Sequence, residues 1–95
     1  MSAGFTPADW PTLDRIIWRE SRCQPDASNI DADDDSHGLM QLNLKAHQKW
    51  IGPIVQWNYA LLYNGELNLF LARILADKAE AAYGCKWQPW GFGCD

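Results

Sequence analysis

The chain has 95 residues, 47% of them hydrophobic and 21% charged, a balance that supports one folded domain and excludes general disorder. Eight Lys plus Arg against twelve Asp plus Glu give a formal charge of -4 with no basic stripe on any segment, so nucleic acid is not an expected partner, because that affinity rests on neutralising phosphates. Charged or amide residues interrupt every apolar run before the roughly 18 residues a spanning helix needs, and Met1 to Thr6 lacks the basic and apolar stretches of a signal peptide.

Two Pro-marked starts compete for the first helix, Thr6-Pro7 and Asp9-Trp10-Pro11, since Pro is welcome only in the first turn; a start near residue 9 or 10 fits the pattern that follows. Leu13, Ile16, Ile17 and Glu20 recur at i, i+3, i+4 and i+7, so the apolar stripe runs directly into a carboxylate. Gln24-Pro25-Asp26 ends the helix, because the residue before Pro avoids the helical region. Glu20 is therefore expected to face inward at the carbonyl-rich end of a helix. Burial and the helix end both disfavour its charged form and would let it keep a proton near neutral pH, as the acid that cleaves a glycosidic bond must. The ordinary alternative is a surface Glu paired with Arg15, Arg19 or Arg22.

Residues 24–37 read as an exposed polar loop with Asp26, Asp31, Asp33, Asp34 and Asp35. Its Asp31-x-Asp33-x-Asp35 alternation is close to a calcium loop, but Ser36 replaces the turn Gly and Leu42 the closing Glu. No metal is expected: there is no Cys-x-x-Cys pair, and His37 and His47 lack ligand spacing; both His are expected to be exposed. Gly38 to Asn43 forms a short apolar element, and a helix around Lys45 to Trp50 should end before Gly52-Pro53. A loop or short turn carries Ile54 to Tyr63. The last helix is capped by Asn64, carries an apolar stripe of Leu67, Phe70, Leu71, Ile74, Leu75, Ala81 and Ala82 broken only by Lys78, and stops at Gly84. The tail from Trp87 to Gly93 is a loop folding back over the core or over a ligand. Cys23, Cys85 and Cys94 allow one disulfide in three pairings; a bridge from Cys23 to Cys85 or Cys94 would tie the first helix to the tail, and a fully reduced set is equally compatible. A cysteine peptidase is disfavoured, because no Cys-then-His signature surrounds either His. Six Trp, three Tyr and three Phe fill cores but also stack on sugar rings.

The run Ile16-Ile17-Trp18-Arg19-Glu20-Ser21, followed by Pro25 and by Ser28-Asn29, resembles the first motif of the soluble lytic transglycosylase catalytic domain, a branch of the lysozyme-like superfamily. Gly38-Leu39-Met40-Gln41 resembles its second motif, Asn68-Leu69 with Ala72, Ile74 and Leu75 its Asn-bearing core helix, and Trp87-x-Pro89-Trp90 its closing segment. The resemblance spans roughly residues 13 to 92. It implies a mainly α, small lysozyme-like fold with a short polar loop or β excursion. It also implies cleavage, without cofactor, of the β-1,4 bond between N-acetylmuramic acid and N-acetylglucosamine in peptidoglycan glycan strands.

On that resemblance Glu20 is the single catalytic acid and then base, while Asn29, Met40, Gln41 and Asn43 line the substrate groove. The family's Ala-Tyr-Asn motif is missing after the core helix, which leaves Tyr63 and Tyr83 as rivals for the aromatic partner of Glu20. Trp87 and Trp90 are either sugar-stacking platforms or core plugs. The competing reading is a hydrolytic lysozyme, phage endolysin or virion-associated module using Asp35 or Asp31 as second carboxylate. Lysozymes of similar pattern carry that group two residues before the Gly, where this chain has Ser36, and this favours the transglycosylase. A wall-binding module without catalysis is the reading of a different class. Action at the bacterial wall, from an extracytoplasmic or a phage-encoded protein, is implied, and a fusion or targeting partner is compatible with the short, acidic chain.

Overall fold

Both Pro-marked starts are used in the computed structural model, which describes residues 4–92. Pro7–Asp9 forms a 3-10 turn that leads into α1, Trp10–Ser21, with Pro11 in its first turn. Leu13, Ile16 and Ile17 are buried, as the stripe predicts. Arg22 (φ 54°) and Cys23 (φ 62°) then turn left-handed and end the helix, so Pro25 follows a stop that the backbone has already made.

The polar excursion is a β-hairpin plus one short strand. β1 (Ser28–Ile30), β2 (Asp35–His37) and β3 (Leu42–Asn43) form an antiparallel sheet in the order β1-β2-β3, with Asn29 opposite Ser36 and Ile30 opposite Asp35. Lys45 ties the loop to the start of α2: its Nζ donates to the carbonyls of Asp31 at 2.6 Å and Ala32 at 2.7 Å.

α2 runs Leu44–Ile54 and passes through Gly52 and Pro53 instead of ending before them. Pro53 is tolerated in this last turn, and Gly52 is required there because the Trp57 ring folds back onto it: a Cβ at Gly52 would lie 2.2 Å from that ring. A 3-10 turn at Tyr59–Tyr63 leads to α3, Gly65–Tyr83. Asn64 caps α3 by accepting from the Leu67 N–H at 3.0 Å, and Gly84 (φ 70°) ends it, both as expected.

The buried face of α3 differs from the predicted stripe. Asn68, Leu69, Leu71, Ala72, Leu75, Ala76 and Ala79 are inside, whereas Phe70 is 48% exposed and Ala81 and Ala82 are exposed. The reason is Asn68, which is 0% exposed. Its Oδ1 accepts from the Met40 N–H at 2.8 Å, and its Nδ2 donates to the carbonyls of His37 at 3.0 Å and Leu62 at 3.1 Å. A hydrophobicity pattern scores Asn as a solvent residue, yet this one turns the helix so that three backbone groups are satisfied.

The tail folds back over the core. Phe5 stacks on Trp87 with centroids 5.9 Å apart, Trp90 Nε1 donates to the Met40 carbonyl at 2.8 Å, and Lys86 pairs with Asp9 at 3.0 Å. Burial pushes the Asp9 carboxyl up, but the hydrogen bonds from Lys86 and Thr6 outweigh it and leave it below the usual carboxylate range. Cys85 is disulfide-bonded and Cys23 is a free, exposed thiol, which removes both the alternatives that bridge Cys23 to the tail and the fully reduced set; Cys94 lies outside the described residues. Among the described residues no helix is long and apolar enough to cross a membrane.

Replacing Asn68 by Ala would strand one buried N–H and two buried carbonyls. Asn68→Ala is expected to lower the unfolding free energy by about 2–4 kcal/mol, read as a lower urea midpoint; a midpoint within error of the parent would show that water replaces the amide without loss.

Candidate active site

Glu20 occupies the last turn of α1, and side chains of the sheet share a groove with that helix end. Gly38 N–H donates to the Ala27 carbonyl at 2.8 Å, which closes the hairpin base just after the helix. Gly38 has φ +84°, and a Cβ there would stand 2.1 Å from Asn68 Nδ2 and 2.4 Å from the Leu62 carbonyl oxygen; no other residue fits without moving the hub. The result is a groove of about 300 Å³ lined by Arg19, Glu20, Asn29, Asp31, Asp34, Ser36 and Gln41. Of the residues expected from sequence, Glu20, Asn29, Gln41 and Asp31 are brought together there.

The amides in the groove are fixed. Gln41, itself left-handed at φ 50°, donates through Nε2 to the carbonyls of Gly38 at 2.9 Å and Ala27 at 3.1 Å, and its Oε1 accepts from Asn29 Nδ2 at 2.8 Å. That leaves Asn29 Oδ1 as an acceptor in the lining of the groove. Ser21 has a structural role, its Oγ donating to the Ile17 carbonyl at 3.0 Å and fastening the turn that carries Glu20.

Glu20 is less enclosed than its stripe predicts. Its side chain is 27% exposed and accepts from Arg19 Nε at 2.9 Å, the ion pair that an ordinary surface Glu would make. Position i+7 lies at the rim of the helix interface, where α1 has already run past its apolar partners. Arg19 also donates through Nη2 to the Trp90 carbonyl and stands 4.3 Å from the centre of the Phe92 ring. The tail therefore positions Arg19, and Arg19 positions Glu20. Sequence reasoning used Arg19 only as a competitor for Glu20 and missed this second contact.

Other expected residues are elsewhere. Met40 is fully buried, and Trp87 and Trp90 are 7% and 5% exposed; all three are core plugs, which removes them as groove or stacking surfaces. The Asn43 side chain is spent inside the protein: Oδ1 accepts from the N–H groups of Lys45 at 3.0 Å and Asp35 at 3.1 Å, and Nδ2 donates to the Asp33 carbonyl and Asp34 Oδ1, both at 3.3 Å. His37 is buried, not exposed, with Nδ1 2.7 Å from the Tyr63 hydroxyl and Nε2 2.5 Å from Asp35 Oδ1. Tyr63 thus braces His37 and does not line the groove beside Glu20. Tyr83, 69% exposed, lines a different groove between α2 and α3.

Strand alternation explains Asp35. Side chains along β2 point to opposite faces in turn, so Ser36 shares the groove face with its cross-strand partner Asn29, while Asp35 and His37 point to the other face. The carboxylates at the groove rim are Asp31 and Asp34 instead. Asp31 Oδ1 accepts from the N–H groups of Asp33 and Asp34, both at 2.8 Å; these bonds, with the Lys45 charge, outweigh its slight burial and hold its carboxyl below the usual range.

Against this geometry stands one family match: the model of the transglycosylase SLT domain covers residues 6–88. The chain belongs to the transglycosylase SLT domain family. Its fold is therefore that of a small, mainly α, lysozyme-like domain, and the function of the family is lytic-transglycosylase-type action on peptidoglycan. Comparison with curated proteins and with solved structures gives no match.

In this SLT domain Gln41 ties the base of the hairpin at Ala27 and Gly38 to Asn29. Gln41→Leu keeps the volume but removes both donors and the acceptor that holds Asn29. It is expected to cost about 1–3 kcal/mol in stability and to lower kcat/KM on peptidoglycan more than a stability loss of that size accounts for at a temperature where the variant is fully folded. Unchanged kcat/KM would show that the Asn29–Gln41 pair has no part in substrate binding.

Proposed function

We propose that the protein cleaves the β-1,4 bond between N-acetylmuramic acid and N-acetylglucosamine as a lytic transglycosylase with Glu20 as its one catalytic carboxyl. The observation that carries this reading is the pairing of Asn29 with Ser36 on neighbouring strands of one groove face, with Asp35 on the opposite face of the sheet; on the family resemblance Ser36 holds the position of the hydrolytic pattern's second carboxylate. Glycoside hydrolysis uses two carboxylates; here the substrate's own C6 hydroxyl takes the second role.

Protonated Glu20 donates to the leaving O4 as the C1–O4 bond breaks. The C6 hydroxyl then attacks C1, its proton returns to Glu20, and a 1,6-anhydro ring closes with no water consumed. Asn29 Oδ1 and the Ser36 hydroxyl serve as hydrogen-bonding groups for the sugar at the cleavage point. Because Glu20 is partly exposed in the free protein, a glycan lying in the groove completes its desolvation by displacing water. Hydrolysis remains the second reading because Asp31 and Asp34 line the same groove. Work at the wall places the domain outside the cytoplasm or in a phage-encoded particle or lysin, with a fusion or targeting partner to offset its negative charge.

Glu20→Gln is nearly isosteric and cannot donate the proton. It is expected to reduce clearing of a peptidoglycan suspension by about 10²–10⁴-fold while binding to insoluble wall persists. Clearing at the parent rate would remove Glu20 as the acid, and parental binding with no clearing by the parent protein would favour a wall-binding module.

A further inference from the structure

A second groove, about 490 Å³, lies between α2, α3 and the tail, with Asn43, His47, Trp50, Lys78, Tyr83 and Gln88 among its walls. It adjoins the Glu20 groove, because Asn43 in its wall donates to Asp34 in the wall of the first. Its chemistry is different. The Glu20 groove is lined by carboxylates, amides and an Arg19 guanidinium already paired with Glu20, whereas this one combines two aromatic rings with an ammonium.

Lys78 Nζ stands 5.3 Å from the centre of the Trp50 ring, and among the described residues it has no carboxylate within ion-pair distance. The Trp50 indole N–H donates to His47 Nδ1 at 3.1 Å, so His47 carries its proton on Nε2. Burial, and then the Lys78 charge, hold His47 below its usual range and keep it neutral at pH 7. In a chain of net charge -4, an unpaired ammonium in a concave, aromatic-walled site selects an anionic ligand with apolar parts.

We propose that this groove holds the stem peptide of peptidoglycan, with Lys78 pairing a peptide carboxylate and Trp50 and Tyr83 packing on its apolar side chains. The inference rests on peptidoglycan being the substrate. The N-acetylated sugar rings of the strand are uncharged, and its carboxylates sit on the peptides, so the charge on Lys78 distinguishes the two parts of the polymer. Position agrees to this extent: the two grooves meet at Asn43 and Asp34.

The test uses the full chain and the purified stem peptide of peptidoglycan, free of sugar, with the Trp50 indole N–H as an NMR reporter. Titration is expected to shift the Trp50 signal saturably, Lys78→Arg to retain the shift, and Lys78→Glu to weaken binding by at least about 5-fold, the equivalent of one exposed ion pair. Added salt is expected to weaken the parent and Lys78→Arg and to leave Lys78→Glu nearly unaffected. No shift at millimolar peptide, or equal affinity for the parent and Lys78→Glu, would overturn the assignment. Because the readout is binding of a sugar-free peptide, its result is separate from whether Glu20 cleaves the glycan: a negative titration alongside normal clearing removes the peptide site alone.

Discussion

A single buried amide holds this fold in register. Asn68 joins the turn after β2, the end of the 3-10 segment before α3, and α3 itself through three hydrogen bonds of 2.8–3.1 Å. Gly38 is the complement of that amide, because any side chain there would occupy the space of Asn68 Nδ2. The pair explains why α3 buries a polar residue in its first turn, among Leu69, Leu71 and Ala72.

From that register the groove follows. With Gly38 pinned, Gln41 reaches back to Ala27 and out to Asn29, and the hairpin shares a groove with Arg19 and Glu20 of the last turn of α1. The tail closes the arrangement from the other side: Trp90 plugs the core under Met40, and its carbonyl and the Phe92 ring hold Arg19 next to Glu20. Much of what resembles a catalytic motif is thus architecture. Ser21 ties a helix end, Met40 fills the core, Asn43 caps α2, and Glu20, Asn29 and Gln41 remain facing the groove.

The features legible in the sequence are those set by local rules. The Asn64 cap, the Gly84 stop, the first helix and its stripe into Glu20 each depend on residues within one or two turns. What was not legible depends on partners distant in the chain. His37 is buried because Tyr63 and Asn68 meet it from 26 and 31 residues away, and Trp87 and Trp90 are plugs because Phe5 and Met40 cover them. The face of α3 was misassigned because hydrophobic periodicity treats Asn68 as a surface residue. Asp35 was misplaced for a simpler reason: a loop leaves the direction of each side chain open, whereas the strand that forms there alternates them and turns Asp35 away from Ser36.

The central claim is that one carboxyl does all the proton transfer and water takes no part. Mass spectrometry of the fragments released from purified peptidoglycan tests it most directly. The account requires 1,6-anhydromuramyl ends, each lighter by one water than the corresponding hydrolysis product. Fragments that are mainly reducing-ended, and that carry ¹⁸O when the digest is run in labelled water and the label is read at short times, would contradict it and assign the second role to Asp31 or Asp34.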